Sequence, residues 1–233
     1  MTSINTDLSK YKDVNKQKPC HIVAAGPSLY SLNLNNIHKD AVISVNSSCI
    51  VMPWLTGNKD NRFWISTDAV CIYWSYFIPN VCKSACNKIV RSSWSKHHNK
   101  LQLFNFDYFD IRKSQLDPLD DNDPGLCFTS SLLAAIDFAI LMKSNPIYIH
   151  GLDHYIVDGK SHFWQFYEYN NRPYMNINPK YLPDISQQKD TFDKNINIFN
   201  ALNNYAKKYE IQIYNCNLKS EVKVFDFIQF NYD

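Results

Sequence analysis

The feature that most constrains this chain is a repeated ending. Short, continuously apolar runs each stop abruptly at a small polar cluster. His21-Ile22-Val23-Ala24-Ala25 stops at Gly26-Pro27-Ser28-Leu29, and Ala41-Val42-Ile43-Ser44-Val45 stops at Asn46-Ser47-Ser48. Phe63-Trp64-Ile65-Ser66 stops at Thr67-Asp68, and Pro146-Ile147-Tyr148-Ile149-His150 stops at Gly151-Leu152-Asp153-His154. Runs this short and this apolar, bounded by turn residues, read as strands buried on both faces. Lys88–Arg91 and Leu101–Phe104 are weaker strand candidates, and Ile211–Tyr214 reads as a final strand.

Helical periods separate the later runs. From Thr129 to Lys143 the apolar residues Leu132, Leu133, Ile136, Ala139 and Ile140 share one face, and Thr129 can cap the start. Asp190 to Glu210 repeats the pattern with Phe192, Ile196, Phe199 and Ala206. Strands alternating with helices imply an α/β fold, a Rossmann-like and mostly parallel sheet with helices on both faces. Such sheets bind ligands outside the carboxyl ends of their strands. The four polar clusters all fall at such ends, so they are expected to meet on one rim.

Composition narrows the class. The chain has 233 residues, 24 Lys+Arg against 22 Asp+Glu, and 45% hydrophobic residues. That balance excludes disorder and coiled coil, and argues against a strongly electrostatic nucleic-acid binder, though not against a local basic face. No apolar stretch approaches the ~20 residues a membrane span needs. With no signal-peptide pattern and an odd count of 7 cysteines, reduced thiols and a cytoplasmic location are expected. Residues 1–19 read as a polar arm and 20–233 as a single domain. Residues 155–189, rich in aromatics and Asn, read as an inserted lid whose Trp164, Phe166, Tyr167, Tyr169, Tyr174 and Tyr181 suit stacking on a sugar or a base, or a hydrophobic cluster under a long loop. Only 5 residues are glycine, against ~7% in average chains, so those present are expected where no side chain fits.

Candidate site residues follow from the rim, with Asp68, Ser131 and Gly151 among those expected to bind a donor. Gly26, Pro27 and Ser28 can bring backbone amides to a phosphate or ribose, although an ordinary strand-to-helix turn explains the same residues. The set is neither a dinucleotide fingerprint nor a P-loop. Thr129, Ser130 and Ser131 place hydroxyls and amides at a helix start, where a plain N-cap needs one of them. After Gly151, Asp153 can bind a ribose or orient His154, while His154, Tyr155 and His162 can move protons. A capping Asp and packed histidines are the plainer alternative. Cys82-x3-Cys86 with His97-His98 has poor zinc spacing, and no metal site is expected. Arg91 to Lys100 reads as a solvated basic loop, and Asp120-Asp121-Asn122-Asp123 as a turn.

In order and spacing, residues 20–216 resemble the bacterial sialyltransferases of the Campylobacter type. They are also similar to flagellin-glycosylation proteins with a G-P-S-L motif. The resemblance is carried by Ala25–Leu29, Val45-Asn46-Ser47, Thr129-Ser130 and Gly151-Leu152-Asp153. It implies a GT-A-variant fold and a metal-independent transferase that takes a sugar from a nucleotide-sugar donor, with no further cofactor. It implies that Gly26, Pro27, Ser28, Asn46, Thr129 and Ser130 line the donor. It also implies that Asp153 and Tyr155 lead to the leaving phosphate, with His162 near the place of a second tyrosine. The family has a catalytic histidine before its last long helix, where this chain has Tyr181–Gln188 with none. His154, His162 or Asp184 is left as the base, and the acceptor can be a glycan or a hydroxymethylated base in phage DNA. Two rivals remain: a magnesium-dependent pyrophosphokinase using Asp68 and Asp153, and a non-catalytic nucleotide- or glycan-binding protein.

Overall fold

In a computed structural model of the chain, residues 5–52, 60–97, 104–111, 125–127, 130–167 and 185–232 are described. They build one parallel sheet of eight strands: β1 Cys20–Val23, β2 Ala41–Val45, β3 Arg62–Ser66, β4 Asn87–Arg91, β5 Phe106–Phe109, β6 Ile147–His150, β7 Ile213–Asn215 and β8 Asp226–Phe227. Their order across the sheet is β5-β4-β3-β2-β1-β6-β7-β8. The chain builds outward from β1 to one edge, then crosses back to the other side. β1 thus pairs with β2 on one flank and β6 on the other. The order reverses at that seam, where ligands bind in open parallel sheets.

The two faces are covered differently. Cys20, Ile22, Ile43, Phe63, Ile65, Ile89, Ile147 and Ile149 point to the face covered by α1 (Ser131–Leu141) and α2 (Ile185–Lys208). α1 is buried nearly all round, including Asp137 at 1% exposure, whose Oδ2 accepts the Cys127 N–H at 2.9 Å. The other face carries Val23, Val42, Trp64 and Val90. Short helical turns cover it, among them Pro27–Ser31, Asn35–Lys39, Asn46–Val51, Ala69–Tyr73, Phe77–Cys82 and Phe163–Phe166. The helices expected on both faces are present, but on this second face they are one or two turns long.

Several expectations shift. The fifth strand is Phe106–Phe109; of the expected run Leu101–Phe104, residues 101–103 lie outside the described residues. The cap of α1 is Ser130, whose side chain accepts the Leu133 N–H at 3.2 Å; Thr129 lies outside the described residues. The N-terminal arm is not free. Leu8 and Tyr11 are buried in the first core, and Asp13, Asn15 and Gln17 donate backbone N–H bonds to the carbonyls of Leu141, Met142 and Lys143. Two apolar side chains among polar neighbours suffice to tie it down, because the open C-terminal carbonyls of α1 need donors. Cys82 and Cys86 are buried free thiols, and Cys86 Sγ meets Ser84 Oγ at 2.9 Å. Asp120–Asp123 and His98 lie outside the described residues. No helix among the described residues is long and apolar enough to cross a membrane.

Candidate functional site

A cavity of about 250 Å³ opens at the carboxyl ends of β1, β2 and β6. Its floor is Ala24–Pro27, Val45-Asn46 and Gly151–His154, the N-terminus of α1 supplies Ser130–Leu132, and Ser161 with His162 closes one side. The backbone at its floor is held in uncommon conformations. Gly151 has φ +73°, Asn46 φ 50° and His154 φ 54°. A glycine takes such values freely, while among other residues they are uncommon, with asparagine and histidine over-represented. Gly26 is required for a different reason: a Cβ there would lie 2.4 Å from Gly151 O and 2.5 Å from Asp153 Oδ2.

Asp153 explains that closeness. It is 2% exposed, and its Oδ2 accepts the Ser28 N–H at 2.6 Å. Its Oδ1 accepts Ser28 Oγ–H at 2.7 Å and Asn217 Nδ2–H at 2.6 Å. Burial pushes its carboxyl above the usual range, while these three donors pull the other way. The carboxylate therefore faces the rim as expected, but it acts as a clamp that folds Pro27-Ser28 against β6. Ser28, with its amide and hydroxyl both occupied by Asp153, does not line the cavity. The expected contact of Ser28 with a donor phosphate is corrected to this clamp.

The hydroxyls at α1 are also partly in use. Ser130 caps the helix, and Ser131 Oγ accepts the Thr67 N–H at 2.9 Å and meets Thr67 Oγ1 at 3.0 Å, tying β3 to the cavity wall. Asp68 is exposed and accepts the Val70 N–H at 3.0 Å, capping the turn Ala69–Tyr73; it does not line the cavity. The expected donor role of Asp68 is thereby corrected to a cap, since the strand end turns its side chain back on its own chain.

Two imidazoles reach the cavity. His154 stacks on Phe192 of α2, ring centroids 4.2 Å apart, and leans on Phe199. Burial lowers it to about 4, against a smaller opposing pull from Asp193. His162 is likewise lowered by burial to about 4, and its Nδ1 is 2.9 Å from Ser161 Oγ. Both rings are neutral at physiological pH, so each can donate one hydrogen bond and accept another. The described lining contains no Lys or Arg. Polarity comes from the helix start, Asn46, Asn195 and the two imidazoles.

Tyr155 sits elsewhere. Its hydroxyl accepts Asn217 Nδ2–H at 3.2 Å, and its ring lines an adjoining cavity of about 320 Å³ with Asp193 and Glu221. His154 and Phe192 belong to both cavities and form the wall between them. Of the residues expected beside the leaving phosphate, His162 lines the first cavity and Tyr155 the adjoining one. In the lid segment, Phe163 and Trp164 are buried in the second core, and Phe163 N–H donates to Ala25 O at 3.1 Å. Trp164 is thus a core residue and no stacking platform, whereas Phe166 and Tyr167 pack on the half-exposed Tyr30. Tyr169, Tyr174, Tyr181 and Asp184 lie outside the described residues.

Nine of the named residues meet on this cavity: Gly26, Pro27, Asn46, Ser130, Ser131, Gly151, Asp153, His154 and His162. Sequence reasoning missed Phe192, Asn195, Phe199 and Asn217. Asn195 left a signal, a polar residue 6% exposed on the buried side of α2. Asn217 left none.

No protein-family profile matches the chain, and no curated protein does. Solved structures do match. The MAf glycosyltransferase from Magnetospirillum magneticum AMB-1 aligns with TM-score 0.53 at 12% identity, over 95% of this chain and 37% of that one. The chain thus spans little more than a third of that protein's length. The monofunctional alpha-2,3-sialyltransferase Cst-I from Campylobacter jejuni aligns with TM-score 0.50 at 14% identity, over 93% of this chain and 83% of its own. The sialyltransferase CstII from Campylobacter jejuni, in complex with cytidine-5'-monophosphate, aligns at 0.48 and 16% identity, over 94% and 87%. At these identities the likeness is one of fold. The neighbours expected from the motifs are the ones found.

Proposed function

We propose that the chain is a glycosyltransferase that binds a nucleotide-sugar in the 250 Å³ cavity and passes the sugar to a hydroxyl acceptor. The observation that carries this reading is the convergence of the strand ends of β1, β2 and β6 with the N-terminus of α1 on one cavity that holds two neutral imidazoles. The positive end of α1 suits the donor phosphate. Asn46 and Asn195 suit ribose or sugar hydroxyls.

His154 and His162 divide the proton work in this scheme. His162 donates its N–H to the phosphate oxygen that gains charge as the glycosidic bond breaks. His154, at the wall shared with the second cavity, accepts the proton of the acceptor hydroxyl. The second cavity, with Tyr155 and Phe192, then receives the acceptor. Asp153 and Ser28 position the turn and do not touch the reacting atoms. The carboxylate pair required by the pyrophosphokinase alternative is not favoured, because Asp68 caps a turn away from the cavity.

The test is thermal stability titrated with CMP, nucleoside diphosphates and nucleotide-sugars. A ligand at a hundred times its dissociation constant adds ~2.7 kcal/mol, a shift of several degrees. A flat response to every nucleotide overturns the reading. A response without turnover favours the binding-protein alternative.

A further inference from the structure

The second face of the sheet holds a chain of polar side chains that the proposed reaction does not use. His21 of β1 and His150 of β6 are 1% and 0% exposed. Their Nδ1 and Nε2 atoms, respectively, are 2.9 Å apart. At one end His21 Nε2 lies 3.2 Å from Asp40 Oδ2. At the other, His150 Nδ1 lies 2.9 Å from the hydroxyl of Tyr232. All four ring nitrogens have a partner.

Asp40 sets the direction of this chain. Its carboxylate oxygen, on a side chain 39% exposed, is the acceptor at this end of the chain. His21 then carries its proton on Nε2 and accepts at Nδ1. His150 donates from Nε2 and accepts at Nδ1, and Tyr232 donates its hydroxyl. Every donor meets one acceptor with both rings neutral.

The same contacts hold residues 228–232 across the sheet. After β8 the chain turns back: Ile228 N–H donates to Asn215 O at 3.2 Å, and Tyr232 O accepts Asn36 Nδ2–H at 3.1 Å, beyond β1. Between them, the Phe230 ring stands edge-on to His21, Tyr148 and His150, with centroids 5.2, 5.3 and 5.1 Å away.

We propose that residues 228–232 are a pH-sensitive strap, latched by the Asp40–His21–His150–Tyr232 chain when both imidazoles are neutral and loosened when one more proton enters. The added proton reverses the chain. The proton on His150 Nε2 passes to His21 Nδ1, the incoming proton settles on His150 Nδ1, and Tyr232 turns from donor to acceptor. A cation then lies between β1 and β6 among aromatic rings, and the Tyr232 hydroxyl proton loses its acceptor. The groups facing the pair are few. Asp40 lies before β2 with His38 and Lys39, and Arg62 of β3 donates to the carbonyls of Asp40 and His38. Tyr148 lies beside the pair on β6, Tyr214 on β7 and Cys216 just after it. Asp153 acts on Tyr232 from beyond. Burial lowers His150 well below its ordinary value, helped by His21, and lowers His21 against the pull of Asp40. Lowered histidines keep the latch closed above about 6.5 and weaken it as pH falls below. The strap bears on the seam that forms the cavity, since Ala24 N–H donates to His150 O at 2.9 Å just before Gly151.

The experiment reads the latch and the strap separately. Imidazole nitrogen NMR at about pH 7.5 is expected to show both rings protonated at Nε2 alone. Hydrogen exchange, corrected for intrinsic rates, is expected to show protection of residues 228–232 falling about ten-fold or more from pH ~7.5 to ~5.5, with residues 133–140 of α1 unchanged. Tyr232→Phe keeps the ring and removes the hydroxyl. It is expected to bring protection at the higher pH down to the acid level and abolish the pH response. An Nδ1 proton on either ring at pH ~7.5, equal wild-type protection at both pH values, or a pH response surviving in Tyr232→Phe overturns the proposal. The two wild-type readouts decide it even if the variant folds poorly. None of them depends on nucleotide binding, so they stand apart from the proposed transferase activity.

Discussion

The two faces of the sheet use the same strands to different ends. Toward α1 and α2, alternate residues are Ile, Ala, Cys and Phe, locked under long helices. Toward the short turns, the intervening residues include His21, Ser44, Arg62, Ser66, Lys88 and His150, each buried and polar. Many of these have identified partners. Ser44 Oγ meets Ser48 Oγ at 3.1 Å, and Lys88 Nζ donates to the carbonyls of Ser84 and Cys86. A helix-covered face gains stability mainly from buried apolar area. A turn-covered face has exposed backbone groups to satisfy, so it keeps polar side chains. The difference teaches that burial in this chain has two meanings, and that substitutions should separate them.

The largest effect is expected at the cavity. His154→Ala and His162→Ala should each lower turnover about 10²–10⁴-fold while the fold survives. Normal turnover in both, measured beside melting temperature, would remove the imidazoles from the reaction. On the helix-covered face the loss should be of the other kind. Ile43→Ala, at a position 0% exposed, should cost about 2–5 kcal/mol in denaturant unfolding and leave nucleotide affinity per folded molecule unchanged. An affinity loss there would erase the contrast between the faces.

Gly26→Ala tests the rim between them. Its Cβ would collide with Gly151 O and Asp153 Oδ2, so about 1–3 kcal/mol of stability should go together with ligand binding. Retained nucleotide affinity would place the ligand elsewhere. Acid is the next probe. His154, His162, His21 and His150 all have lowered values, so the unfolded chain binds more protons. Stability should be full above about 6.5 and decline as pH falls toward 4, with raised Asp153 opposing the decline at its lower end. A urea midpoint flat across that window would contradict the neutral histidines. The smallest effect is expected from Ser131→Ala, which frees Thr67 and should cost about 1 kcal/mol. Calorimetry resolves it.

Much of the fold was legible because β1, β2, β3 and β6 are short, mostly apolar runs bounded by turn residues. β8 was not: two residues, Asp226 and Phe227, carry no period. The fifth strand, Phe106–Phe109, was not picked out because its residues are mostly half-buried and include Asp107, a weaker pattern than the apolar run beside it. At the site, the strand-end clusters gave the rim, since topology alone sends them there. Which hydroxyls face a ligand and which tie the frame was not legible. Ser28 and Ser131 differ from Ser130 and Asn46 by partners distant in sequence, Asp153 and Thr67. Phe192 and Phe199 were read as core; one stacks on His154, which sequence cannot pair. Nothing in the residues around Tyr232 announces two histidines far upstream.

The strand order has a consequence for how the molecule comes into being. β1 finds β2 quickly, with Cys20 beside Ala41, but it waits for β6, where Cys20 meets Ile147. Closing so long a loop is entropically slow, and distant parallel pairings govern folding rate. During synthesis, one flank of β1 stays open until β6 emerges, a bare and adhesive border. The cavity lies on that same seam. Ligand-binding competence is therefore among the last properties the chain acquires, and recovery of nucleotide binding should trail the recovery of helix in a refolding experiment.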